Sequence, residues 1–192
     1  MSDADLASRI DRIESALAIQ QLPIRYALAV DGRDIDTWIS LFIEDVDCGR
    51  HGKGREALRG TIEEPLRTFY RSIHQICGHR IEFTDADHAS GAVYCRAEHE
   101  DAGKWIVMAI CYFDDYERRG GQWFFARRRE RHWYAADLVE RPRAPFHDWA
   151  GHDIPPHLPA AFPTWDRFWR DLPAERIEQL TEMPVHGKGD KA

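Results

Sequence analysis

Asp31, His74, Tyr26 and Arg128 are the residues whose types and settings could carry acid–base chemistry in this chain. Asp31 stands in AVDG, at the end of an apolar helical segment. The partial negative charge of a helix C-terminus disfavours a carboxylate there, and desolvation pushes its pKa the same way. A carboxylate that only holds a loop would look the same. Tyr26 lies five residues earlier, about 140° round a helix of 3.6 residues per turn. The two share a pocket only if the helix ends before Asp31. His74 is read as closing a helix over 62–74, just before the first strand. Its imidazole suits either a proton shuttle near neutral pH or a partner for the helix terminus. His99 continues the apolar face of Val93, Cys95 and Ala97, where a satisfied core histidine is the ordinary occupant.

The run Arg127, Arg128, Arg129, Glu130, Arg131 lies on the last strand. Alternation sends Arg127, Arg129 and Arg131 one way and Arg128 the other. The outward set is expected to be solvated and paired across strands with Asp114, Asp115 or Glu117. An inward Arg128 would be a fixed cation for an oxyanion or halide. The histidines of HDWAGHDIPPH (His147, His152, His157) are spaced by five, which suits neither a helical nor a strand metal pair, so no metal is expected. There is no G-x-G-x-x-G after a strand, no Walker loop, no G-x-S-x-G elbow and no H-E-x-x-H. What remains is side-chain acid–base chemistry without a dissociable cofactor, or binding without chemistry.

The elements that must position these groups are legible in the periodicity. Leu6, Ile10, Ile13 and Leu17 line one face of a helix over 3–20, which Ser2 or Asp3 can cap. Pro23 is expected to break or kink it before a second piece ending at Gly32. Trp38, Leu41 and Phe42 mark a third short helix, and Ile62, Leu66, Phe69 and Ile73 a fourth. After Gly78 the period falls to two. Segments around 81–83, 93–98, 104–117 and 122–134 read as strands, with Gly120-Gly121 as a hairpin turn. Helices first and strands later is the α+β order, with an antiparallel sheet.

The 192 residues, 43% hydrophobic and 31% charged, describe one globular domain. Lys plus Arg number 26 against 33 Asp plus Glu, a net −7, which argues against nucleic acid as a partner. No apolar run is long enough to span a membrane, and the acidic start MSDADLASRI lacks the apolar core of a secretory signal. Cys48, Cys77, Cys95 and Cys111 are then read as reduced thiols and the protein as cytoplasmic. Composition shifts near Pro142: eight of the ten prolines lie in 142–192. Residues 1–141 are therefore read as the domain, and 142–192 as an arm on that domain or on a neighbouring subunit. The arm holds a short aromatic helix in FPTWDRFWRDL and ends in a disordered tail.

The order Tyr26-x4-Asp31, DIDTWISLF, SIHQICGHRIEF and YFDDYERRGGQWFFARR resembles the SnoaL-like branch of the nuclear transport factor 2-like superfamily over about residues 5–140. The resemblance implies a cone: a curved antiparallel sheet wrapped round N-terminal helices, with a pocket at the wide end. Catalytic members include hexachlorocyclohexane dehydrochlorinase, scytalone dehydratase and bile-acid 7α-dehydratase. It further implies that Asp31 and His74 match the family's Asp–His pair, that Tyr26 matches a Tyr of some dehydratases, and that Arg128, or Arg127 after a one-residue slip, matches an inward Arg. His99, Tyr112 and Trp38 are the candidate substrate contacts.

The expected function is a cofactor-free lyase, dehydratase or isomerase acting on a hydrophobic small molecule of polyketide, steroid or aromatic type. His74 would take a proton from carbon, Asp31 would hold the imidazolium, and Tyr26 and Arg128 would stabilise the oxygen or leaving group. The alternative is a ligand carrier or a structural subunit like the small subunit of ring-hydroxylating dioxygenases. A dimer or trimer is expected to bury the sheet face carrying Trp105, Val107, Phe124 and Trp133.

Overall fold

The computed structural model describes residues 2–101, 104–139, 157, 160–161, 163–171 and 173–175. Two helices open the chain, α1 (Asp3–Asp31) and α2 (Ile35–Ser40). A short 3-10 turn (Gly49–His51) and α3 (Arg55–Leu66) lead into four strands: β1 (Arg71–Phe83), β2 (His88–Asp101), β3 (Lys104–Arg119) and β4 (Gln122–Asp137). The strands pair antiparallel in sequence order, β1-β2-β3-β4. A short helix α4 (Trp165–Trp169) falls where the aromatic arm segment was expected. The rest of that segment's setting, and most of the 142–192 arm with His147 and His152, lie outside the described residues. Among the described residues no helix is long and apolar enough to cross a membrane.

The α+β order is as expected, but two boundaries move. α1 runs unbroken through Pro23, which is fully buried within it. A proline removes one helical hydrogen bond, and burial of Ile19, Leu22, Tyr26 and Val30 around it outweighs that loss. The helix starts where Ser2 Oγ accepts the Asp5 amide at 3.2 Å. It stops at Gly32, whose amide donates to Leu28 O at 2.9 Å. The stripe Leu6, Ile10, Ile13 and Leu17 is exposed, and the buried face is the one carrying Ser15, Ile19, Leu22 and Tyr26. The second shift concerns the expected helix over 62–74. It ends at Leu66 after Pro65, and Arg71–Phe83 is strand. Pro65 denies the helix an amide, while Ser72, His74 and Ile76 alternate with a second set at period two.

Three bulges bend the sheet: at Ile76/Gly78, at Asp115/Tyr116 opposite Phe125/Arg127, and at Ala109/Ile110 opposite His132/Tyr134. The hairpin at Gly120-Gly121 has φ of 57° and 80°, the left-handed values its tight turn needs. Helices pack on one end of the concave face, where Trp38, Leu41, Phe42, Tyr116 and Phe125 form one core cluster. The exit of α2 is pinned to β4 by Phe125 N–H donating to Leu41 O (2.9 Å) and Ile43 N–H donating to Phe125 O (3.0 Å). A second apolar cluster, Val93, Cys95, Ala97, Ile106, Met108, Ile110 and Tyr112, carries the concave face towards the other end.

On the convex face, Trp105, Phe124 and Trp133 are half-buried and Val107 is buried within the single chain. The sequence reading was that this face is too aromatic to stay wet and is buried by a second copy; part of that cover comes from within the single chain. Phe124 packs against the helical core, and Trp105 Nε1 donates to Glu98 Oε2 at 2.7 Å.

Candidate functional site

Asp31 ends α1 and His74 lies early in β1. They are 43 positions apart, and their side chains meet: Asp31 Oδ1 is 2.7 Å from His74 Nδ1. The backbone amide of His74 donates to Asp31 Oδ2 at 2.8 Å, and the Ser72 hydroxyl donates to Oδ1 at 2.8 Å. Burial raises the Asp31 pKa, as expected from sequence. The hydrogen bonds from the ring and amide of His74, the histidine's charge and Ser72 together outweigh burial, and hold the carboxyl below its usual range. The carboxylate thus stays ionised against Nδ1, which leaves His74 Nε2 as the atom able to take a proton.

Arg33 fixes this corner. It sits at φ 58°, a left-handed conformation uncommon outside glycine. Its guanidinium donates to Val30 O (2.8 Å) and Ser72 Oγ (3.0 Å), and also to Phe69 O (3.3 Å) and Tyr70 O (3.2 Å). The end of α1 and the start of β1 are therefore clasped around the Asp31–His74 pair. Sequence reasoning missed Arg33 and Ser72; the alternation Ser72-x-His74 was the available signal.

His99 is buried, with its ring 5.5 Å from His74 at a near-perpendicular angle and 4.6 Å from Phe69. Burial and the neighbouring His74 charge lower its pKa to about 4, so it is neutral at physiological pH. The core-histidine expectation and the site expectation meet here: the ring is buried and also walls the site.

Because α1 includes Asp31, Tyr26 points away from it and does not join the pair. Its ring packs 5.9 Å from both Trp38 and Tyr112 and 6.1 Å from Phe125. Burial pushes the Tyr26 hydroxyl up to about 12 and Tyr112 well above its ordinary value, so both remain protonated donors. Trp38 and Tyr112 are themselves buried in this aromatic layer.

Arg128 points inward and Arg127 stays exposed. Arg128 is not the free cation anticipated. Its Nε and Nη2 bond Asp114 Oδ1 and Oδ2 at 2.8 and 2.6 Å, a two-pronged pair with both side chains buried. The guanidinium also lies 4.2–4.4 Å from the ring centres of Tyr112, Phe125 and Tyr26. The Tyr116 hydroxyl donates to Asp114 Oδ2 (2.8 Å) and meets His79 Nε2 at 2.9 Å. Asp114, expected in a solvated pair, is instead the centre of a buried network. It follows Tyr112 at period two, which places both on the concave face. Gly91 makes room for it: a Cβ there would sit 2.7 Å from Arg80 O and 3.0 Å from the Tyr116 ring. Arg129 pairs outward with Asp115 at 3.5 Å, as the outward set should.

Glu130 was given no role in the sequence reading of this run. It lies on the Arg128 side of β4, keeps 41% of its side chain exposed, and is hydrogen-bonded to His132 Nε2. Burial pushes the Cys95 thiol up to about 12, so it is not a nucleophile at neutral pH. No group of three metal-binding side chains exists among the described residues. A groove of about 760 Å³ beside Arg25, Glu44 and Arg55 holds none of the paired acid–base groups.

Several known proteins are similar to this chain in sequence or in architecture. Gamma-hexachlorocyclohexane dehydrochlorinase of Sphingobium indicum is 32% identical over 130 residues, spanning 63% of this chain and 82% of that protein. The crystal structure of LinA superposes with a TM-score of 0.63 at 30% identity, covering 70% of this chain and 96% of that one. An NTF2-like protein with a cystatin-like fold from Novosphingobium aromaticivorans matches with a TM-score of 0.59 at 20% identity, covering 67% and 88%, a likeness of fold. The family model described as SnoaL-like domain matches residues 11–129. A curved sheet closing on N-terminal helices, and a sequence match across most of that unit, place the chain in the SnoaL-like domain family.

Proposed function

We propose that the protein is a cofactor-free lyase or isomerase that begins its reaction by proton abstraction from carbon. The observation that carries this reading is the Asp31–His74 pair, gripped through ring and backbone. Its ionised carboxylate stabilises the imidazolium that forms once Nε2 takes a proton. The relatives named as dehydrochlorinases support an elimination. His99 walls the base, and the aromatic layer of Tyr26, Trp38 and Tyr112 gives an apolar floor suited to a hydrophobic ring. Arg128, neutralised by Asp114, acts through that floor and does not offer an isolated charge. General-base help of this kind is worth about 100- to 10,000-fold, enough for a carbon acid activated by a neighbouring carbonyl. We also propose that copies of the chain associate through the convex face, with residues 142–192 assisting.

The test is turnover of a panel of cyclic β-hydroxy ketones and chlorinated cyclohexanes by the protein and by its His74→Gln variant. Loss of water or chloride by the parent and its collapse in the variant is the expected result. Tight binding of these compounds with no turnover would instead favour a ligand carrier.

A further inference from the structure

Strand β4 holds a second carboxylate–imidazole pair that the Asp31–His74 chemistry does not use. In the β3–β4 register Glu130 stands opposite Tyr112 and His132 opposite Ile110. Tyr112 and Ile110 are buried members of the concave-face cluster, so both β4 residues face the same interior. His74 reaches that interior from the far edge of the sheet, opposite Ala97, which itself stands opposite Met108. The Trp133 bulge that follows His132 bends β4 at this point.

The groups around the pair come from every element of the site. The Glu130 charge acts on Tyr26 of α1, on Cys95 and His99 of β2 and on Tyr112 of β3. His74 of β1 and Arg128 of β4 act in turn on Glu130. His157 brings its ring within 6.0 Å of the His132 ring. The partial desolvation of Glu130, whose side chain is 41% exposed, works to raise its pKa, but the hydrogen bond and charge of His132, with the charges of His74 and Arg128, hold it below its usual range. The site therefore holds two carboxylate-backed imidazoles, on β1 and on β4.

A base alone suffices to expel halide, which leaves as a stable anion. A hydroxyl group needs a proton to leave, because hydroxide is a poor leaving group. We propose that His132 is the general acid that protonates a departing hydroxyl when the substrate loses water, with Glu130 as its positioning residue. This rests on the proton-abstraction reading of His74. In the step, His74 Nε2 takes the proton from carbon. The released electron pair becomes the new carbon–carbon double bond and the carbon–oxygen bond breaks. The His132 proton moves to the departing oxygen, and water leaves. His74 is then protonated and His132 neutral; exchange with solvent resets both, with no redox change.

The test compares a β-hydroxycyclohexanone with its β-(para-nitrophenoxy) counterpart, whose nitrophenolate leaves without needing a proton. In His132→Gln, the rate ratio of nitrophenolate loss to water loss should rise by about 100-fold or more, the scale of one lost general acid. Glu130→Gln should raise the same ratio, and Glu130→Asp should restore part of it. Circular dichroism and melting temperature establish that each variant is folded. His74→Gln should slow both losses together. A His132→Gln variant that slows both probes equally, or neither, overturns the assignment while the His74 base stands. A parent that releases neither product, or a His74→Gln variant that retains both rates, overturns the base and this proposal with it.

Discussion

Asp31 engages His74 at two points at once, its Oδ1 2.7 Å from the ring Nδ1 and its Oδ2 accepting the same residue's backbone amide at 2.8 Å. One carboxylate therefore fixes both the tautomer of the ring and the position of the strand that carries it. The Asp31→Asn variant should keep the fold and lose about a thousandfold or more in kcat, because an amide cannot stabilise imidazolium as a carboxylate does. Steady-state kinetics together with far-ultraviolet circular dichroism measure both halves of this statement. Unchanged kcat in the folded variant would remove Asp31 from the mechanism.

The Arg128–Asp114 pair predicts an asymmetry in stability. Asp114→Ala leaves a buried guanidinium without its counter-charge, at a cost of about 3–5 kcal/mol. For a chain of this size that lowers the melting temperature by roughly 10 °C. Removing both charges in Asp114→Leu with Arg128→Met should cost less than Asp114→Ala alone. Differential scanning calorimetry of the three proteins decides it, and a double variant less stable than the single one would contradict the account.

His99 gives stability a pH dependence of known sign. Its folded pKa is lowered to about 4 by burial and the His74 charge, against an ordinary 6.5. Above pH 6.5 the ring is neutral in both states and has no effect. As pH falls from 6.5 towards 4 the unfolded chain gains a proton that the folded chain refuses, so stability declines, by up to about 3 kcal/mol in full. His79, lowered by burial, adds a slope of the same sign. Urea unfolding at stepped pH should show the decline, and His99→Gln should flatten it across that window. A slope identical to that of the parent would place the effect elsewhere.

Self-association has a direct measurement. Light scattering at micromolar concentration should give a small multiple of the 22.3 kDa chain mass. Charge placed on the convex face by Trp133→Glu should lower that mass while leaving the melting transition cooperative. A parent that scatters as 22 kDa ends the proposal.

Most of the sheet could be read from the chain, because period-two alternation is a local signal; the Asp31–His74 pairing followed from the family resemblance, since His74 read locally as a helix end and lies in a strand. Three features could not be. Pro23 reads as a break, yet α1 continues unbroken through it with Ile19, Leu22 and Tyr26 buried around it. The outward stripe from Leu6 to Leu17 has the same spacing as a core-facing one, and periodicity does not say which side the sheet will cover. Asp114 and Glu130 sit in charged runs whose composition says solvent. Their alternation with Tyr112 and Arg128 turns both towards the concave face, where Asp114 is fully buried and Glu130 stays partly exposed. Arg33, three of whose four partners lie 36 to 39 residues away, has no pattern in the sequence that would point to it.

The Arg33 clasp makes the site a seam between two parts of the chain. Asp31 belongs to a helix that can form from local sequence, while Ser72 and His74 belong to a sheet whose order depends on distant pairing. Catalytic competence is then a report on whether that seam is closed. Under mild denaturant, turnover should vanish at a concentration where helical content and sheet pairing are still intact, because the seam can open before either part melts. On the proposed function, the protein would behave as a sensor of its own docking, silent when the edge strand swings free and active as soon as the helix end and the strand are again in register.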